Sequence, residues 1–264
     1  MNIFRQELKM HVRPLLFYTL GMLAAFYAFL LLYDSIAADA ALVDAVLANF
    51  PKEFKAAFGF ADVSLSDLGG YLSFLFAYIV LIGAVFGMKT GISVLSEEGR
   101  TRTSDFLLSK PLRRGRVASE KLLALCLLLA VQNVLFFALA LPGYLSKAGE
   151  EPNLKLFVLM SFSVFMVQLF FAGIGLFLSV LPRRLKAVMP VTLAVVFLFY
   201  IVELINESVL DKTLSYLTPF SYFKASELLS RAAYDGRYLA ADLAVFFLFT
   251  ALAFWIYEKK DIHA

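Results

Sequence analysis

One cysteine, Cys126, and two histidines, His11 and His263, are all the thiol and imidazole groups in this 264-residue sequence. A single thiol closes no intrachain disulfide and completes no thiolate metal site. Cys126 lies inside an apolar run, where it reads as a small core residue. Both histidines sit near the chain ends, so the apolar runs contain no imidazole. Neither a zinc site nor Ser–His catalysis can be assembled within them. The pair Glu97-Glu98 followed by Arg102 also occurs in intramembrane proteases, but here it lacks the histidines that such chemistry requires. No catalytic residue, no metal site and no cofactor bound by this chain are expected.

A phosphate-binding loop is missing too. It needs G-x-x-x-x-G-K-[ST]. The nearest string, Gly83-Ala84-Val85-Phe86-Gly87-Met88-Lys89-Thr90, has the wrong spacing and lies in an apolar run. Charge is scarce: Asp, Glu, Lys and Arg make up 17% of the chain, against about 25% in soluble domains. The net charge of +3 is not gathered into a separate basic region, which argues against nucleic acid as a partner. No cleavable leader is expected, because the first apolar run starts only after Arg13, is long enough to span a membrane and lacks an early small-residue cleavage site.

Apolar residues fill the space that charge leaves. They make up 61% of the chain, with 28 phenylalanines. They form six runs at about 14–33, 68–88, 122–146, 156–182, 187–205 and 238–257. About 20 helical residues rising ~1.5 Å each cross a hydrocarbon core of ~30 Å. The runs show no alternating pattern, so helices rather than a barrel must satisfy the backbone in lipid. The expected fold is an all-α membrane protein with six transmembrane helices.

Basic residues set the orientation. With the N-terminus in the cytoplasm, inner segments carry fifteen Lys and Arg and outer segments eight. That bias places both termini inside and the protein in the cell membrane as a multi-pass chain. Pro182-Arg183-Arg184-Leu185-Lys186 is the clearest local marker. Lys89, at the end of the second run, can snorkel to the inner side. Met1 to Arg13 sets Ile3, Phe4, Leu8 and Val12 against Arg5, Glu7, Lys9 and Arg13, the pattern of an interfacial helix leading into the first span.

Two outer segments carry structure of their own. Leu42, Val43, Val46, Leu47 and Phe50, then Phe54 and Phe58 beyond Pro51, predict one or two short amphipathic helices. Between Asn206 and Arg237, an aromatic turn at Leu217–Phe223 precedes an amphipathic run from Ala225 to Ala233. This segment is either an interfacial aromatic anchor or a piece of chain dipping into the outer leaflet.

Within the spans, Gly83, Gly87 and Gly91 recur every four residues and predict a close helix contact. Gln132, Asn133 and Gln168 read as interhelical hydrogen-bond partners. Glu203 and Asp242 fall near outer helix ends, where water or a pore can solvate them. Deep acidic groups are scarce, which disfavours ion-coupled transport and favours an external energy source.

The segment between the second and third spans is unlike a solvent loop. Phe106-Leu107-Leu108 sits in its middle. Thr103 or Ser104 can cap a short helix there and Pro111 can stop it. Charges flank the apolar residues. Physical reasoning leaves two readings, a docking element for a cytoplasmic partner and a turn packed on the membrane surface.

Glu97-Glu98-Gly99, then Leu107-Leu108-Ser109-Lys110-Pro111-Leu112-Arg113-Arg114, then Lys121 at the next span, resembles the permease subunits of type-2 ABC transporters. Phe50-Pro51, Ala57-Phe58-Gly59, Gly70-Tyr71 and Pro219-Phe220 extend the resemblance along the chain. Arg100 and Arg102 depart from it, adding positive charge where such proteins often carry an acidic residue, a place that Asp105 can take. The resemblance implies that 1–264 is one transmembrane permease domain with a cytoplasmic coupling helix between spans two and three. It implies an exporter that docks on a separate ABC ATPase, with ATP and Mg bound on that partner and none here. It implies a second permease copy or a related permease alongside. Phe106, Leu107 and Leu108 would enter the ATPase, while Glu97, Glu98, Arg113 and Arg114 set the register. The alternative is a six-span secondary carrier or a membrane assembly factor.

Overall fold

The computed structural model describes residues 3–51, 54–55, 64–101, 114–182, 187–209 and 215–259. All regular structure among them is helical: α1 (Ile3–Ala38), α2 (Ala40–Ala48), α3 (Leu68–Thr101), α4 (Arg114–Lys147), α5 (Leu154–Val180), α6 (Val188–Val209), α7 (Pro219–Tyr222), α8 (Ala225–Arg231) and α9 (Gly236–Lys259). Six of these, α1, α3, α4, α5, α6 and α9, are long and apolar enough to cross a membrane. The six expected spans are present, each matched by one of these helices, with 156–182 running two residues past the end of α5 and 187–205 starting one residue before α6.

The helices outrun the apolar stretches. Residues 3–13, expected as a helix leading into the first span, are the first turns of α1, which passes through Pro14 without ending. Proline removes one backbone bond at this point. Packing carries the helix across it, because Ile3, Glu7, His11 and Leu15 follow one another at four-residue steps on the buried face. Likewise α3 continues to Thr101, well past the apolar run that ends at Met88.

Burial sorts the spans into an inner pair and an outer ring. The apolar windows of α3 and α5 are 72% and 78% buried, against 22% in both α6 and α9. α5 therefore forms the centre, packed most extensively on α3 and then on α9, while α1 packs on α4 and α3. Phe26, Phe76, Phe136 and Phe157 interlock edge to face, with ring centroids 5.9–6.5 Å apart, and join α1, α3, α4 and α5. Leu31, Phe197, Leu198, Phe247 and Trp255 point outward on the ring. Such faces suit lipid and would be a liability in water.

Small residues allow the α3–α5 contact. A Cβ on Gly87 would stand 2.9 Å from Gln168 Cα, and one on Gly91 would stand 2.9 Å from Ala172 Cα. Gly175 meets α3 in the same way, 2.9 Å from Ile92 N. Gly83 faces Val164 and Gln168. Hydrogen bonds between side chains cross the bundle beside this contact. Gln168 Nε2 donates to Gln132 Oε1 at 2.7 Å, and Asn133 Nδ2 donates to Gln168 Oε1 at 2.6 Å.

At the end of the bundle away from the termini, short elements cap the spans. Asp67 Oδ2 accepts from Gly69 N and Gly70 N at 3.0 and 3.2 Å, starting α3. α2 occupies part of the predicted amphipathic stretch, and Phe50 stacks on Phe54 with centroids 4.9 Å apart; Phe58 lies outside the described residues. Thr218 caps α7 and Pro219 opens it. α8 lies against α3 and α5 through buried Leu228.

Candidate coupling site

Phe106, Leu107, Leu108, Ser109, Pro111 and Arg113 lie outside the described residues. Glu97, Glu98 and Gly99 belong to the last turns of α3, and Arg114 opens α4. The described residues on either side of this segment are the last turns of α3 and the first turns of α4, its two roots.

Lys121, one of the residues expected at the ATPase contact, is fully buried on α4. Its ammonium donates to Glu7 Oε1 at 2.6 Å and to the Val94 carbonyl at 2.5 Å. Glu7, on the first turns of α1, is only 2% exposed. One side chain thus joins three helices. It ties the root of the outgoing leg on α3, the root of the returning leg on α4 and the N-terminal turns of α1. His11 extends the cluster along α1, with its Nδ1 3.0 Å from the Glu7 carbonyl oxygen and 3.7 Å from Glu7 Oε2.

Why these residues come together follows from helix geometry. Glu7 and His11 share the inward stripe with Ile3 and Leu15. Lys121 falls four residues after Val117 and three after Ala118, both buried, so it points into the bundle instead of toward the partner side. A buried ion pair of this kind contributes little net stability compared with an apolar pair, but it fixes register, because either charge left alone is costly. Around it α4 begins beside the last turn of α9, where a Cβ on Gly115 would stand 2.8 Å from Glu258 Oε1. Arg116 and Glu120 pair at 3.2 Å on the exposed side of α4.

A cavity of about 400 Å³ opens next to the cluster, between α1, α3 and the start of α6. His11, Lys89, Thr90 and Ser93 line its polar wall and Pro190 part of the apolar one. Lys89 does not simply extend to the surface: its ammonium lies 5.0 Å from the centre of the Tyr18 ring.

Glu7 was not foreseen as a site residue. In the sequence it belongs to the charged set of an alternating segment. The available signal was its four-residue spacing from Ile3 and His11. Gly83, Gly87 and Gly91 stand at the α3–α5 contact, on the helix that carries Val94. Among the described residues, no group of three or more His, Cys, Asp and Glu is placed to hold a metal.

The family described as ABC-2 family transporter protein matches residues 1–262. A search of curated proteins gives no match.

Proposed function

The chain belongs to the ABC-2 family of transporter proteins, and from that premise we propose that it is the permease half of an exporter whose power stroke enters through residues 97–121. As a membrane permease subunit of an ABC transporter it works with an ABC ATPase subunit. In this reading ATP and Mg are bound and hydrolysed on that separate subunit. Two permeases, identical or related, stand side by side in the cell membrane with their termini in the cytoplasm. Phe106, Leu107 and Leu108 form an apolar knob that enters the ATPase. Glu97, Glu98, Arg113 and Arg114 flank it and set its register.

The observation that carries this reading is the three-way tie at Lys121. A loop moved by a motor does work on the spans only if its roots do not slide independently. Lys121 holds both roots and the start of α1 together through Glu7 and the Val94 carbonyl. A displacement of the knob is then passed to α1, α3 and α4 together. Because α3 is held to α5 by backbone-close packing, the movement also reaches the centre of the bundle. Packed helices shift between discrete arrangements instead of deforming smoothly.

The test is purification from native membranes in mild detergent. The parent chain comes out with an ATPase. The variant Phe106→Glu/Leu107→Glu/Leu108→Glu comes out without the ATPase, as a single symmetric, later-eluting peak in size exclusion that shows the chain is still folded. A folded variant that keeps its ATPase contradicts docking through this knob. Neutral replacement of Arg113 and Arg114 weakens the complex and lowers its sensitivity to salt.

A further inference from the structure

Asp242 is the least satisfied charged residue among the described ones. It lies on α9 in line with Phe246, Thr250, Ala253 and Tyr257, the face turned into the bundle. It is 0% exposed, and neither carboxylate oxygen has a hydrogen-bond partner. The sequence places it near a helix end, where water could reach it. The fold removes that water, because α7 returns over the end of α9. Tyr222 of α7 stacks on Tyr238, one turn before Asp242, with centroids 5.1 Å apart. Tyr216 leans on Tyr238 at 5.3 Å, and the Tyr222 hydroxyl donates to the Tyr216 carbonyl at 2.6 Å.

Among the described residues, the neighbours offer no compensating cation. α5, against which α9 packs most, has only Lys155 as a titratable group, and that residue is exposed in its first turn. α4 meets α9 at the opposite end, where Gly115 stands beside Glu258. α7 and the turn before it supply Tyr222 and Tyr216. Lys224, between α7 and α8, bonds Glu203 Oε1 at 3.1 Å, and Ser221 donates to the other oxygen of that carboxylate. Glu203 thus has the partners that Asp242 lacks. Burial pushes the Tyr222 hydroxyl up to about 12, and Asp242 is close enough to add to that push.

A carboxylate in a dry site without a partner is so unfavourable that the group takes up a proton instead. We propose that Asp242 is a proton-binding site, protonated while α7 and Tyr238 cover it and releasing that proton to the water on the α7 side when the cover withdraws. The balance is simple: the acid O–H breaks, the electron pair stays on the carboxylate, and water takes the proton. Acidity on that side therefore favours the covered arrangement, and alkalinity favours the open one. No other reactant is needed. The proposal rests on burial and packing within this chain, independently of whether residues 97–121 dock an ATPase.

Infrared difference spectroscopy tests it on the full chain in lipid nanodiscs. The parent minus Asp242→Asn spectrum at neutral pH should show the carbonyl stretch of a protonated carboxyl, and the band should be lost at alkaline pH. A difference spectrum showing only carboxylate bands at neutral pH overturns the proposal. Should sodium or potassium alone remove the band at constant pH, the site is one for a metal cation and the proposal also fails. Hydrogen exchange of the peptide covering α7 tests the cover. At alkaline pH it should be faster in the parent than in Asp242→Asn at the same pH. Equal rates overturn the link between the proton and α7.

Discussion

Lys121→Met removes the centre of the three-way tie while keeping most of the side-chain volume. Glu7 remains, 2% exposed, with its carboxylate 2.6 Å from where the ammonium stood. Breaking one partner of a buried pair costs about 3–5 kcal/mol. Loss of the bond to the Val94 carbonyl belongs to the same event and leaves that acceptor without its ammonium. The expected net loss is about 3 kcal/mol, read from reversible unfolding of the purified protein in mixed micelles. In Glu7→Leu/Lys121→Met both charges go together, so most of the loss should return. A double-mutant cycle should thus give a coupling of at least about 2 kcal/mol. The reasoning is refuted if the single variant loses less than about 1 kcal/mol, or if the two substitutions simply add. In the complex with its ATPase, the double variant should hydrolyse ATP while moving less cargo per ATP, because the loop roots are no longer tied.

Gly87→Val forces a branched side chain against Gln168 Cα, 2.9 Å from the first added carbon; the expected destabilisation is about 1–3 kcal/mol, measured by unfolding in the same micelles. Gln168→Leu deletes the bonds to Gln132 and Asn133 and should cost about 1 kcal/mol in that assay, since interhelical bonds in membranes average ~0.6 kcal/mol each. Single cysteines near Asp44 and Asp211 should react with an impermeant reagent in intact cells, and one near Arg184 only after permeabilisation; the reverse pattern reverses the orientation. Glu203→Gln weakens the anchor of α7 and α8 on Lys224 and Ser221, so limited proteolysis in the 206–237 segment should speed up.

The six spans were legible because an uncharged run of about 20 residues has few other uses. The glycine stripe was legible for a similar reason: a four-residue period projects directly onto one helix face. What stayed hidden depended on partners distant in sequence. Glu7 and Lys121 are 114 residues apart, and no periodicity marks a pair across that distance. Glu7 was read as one of the charges of an interfacial helix and Lys121 as part of the coupling segment, because charges usually face water or a partner. Residues 3–13 and the first span form one helix, since the buried stripe of α1 runs unbroken past Pro14. Asp242 was misjudged because its distance from the helix start suggested access to water. The fold-back of α7, set by Thr218 and Pro219, covers it and gives that carboxylate a different environment. Glu203, judged by the same rule, lies 7% exposed and bonded to Lys224 and Ser221.

The proposed docking of Phe106, Leu107 and Leu108 on an ATPase is the part of the account on which coupling rests. A photo-reactive phenylalanine analogue in place of Leu107, irradiated in intact membranes, reports directly what touches that position. The account predicts a crosslink to an ABC ATPase that grows or fades when ATP is trapped on the partner. A crosslink to lipid alone, or none to any ATPase while the chain remains folded in the membrane, would contradict it.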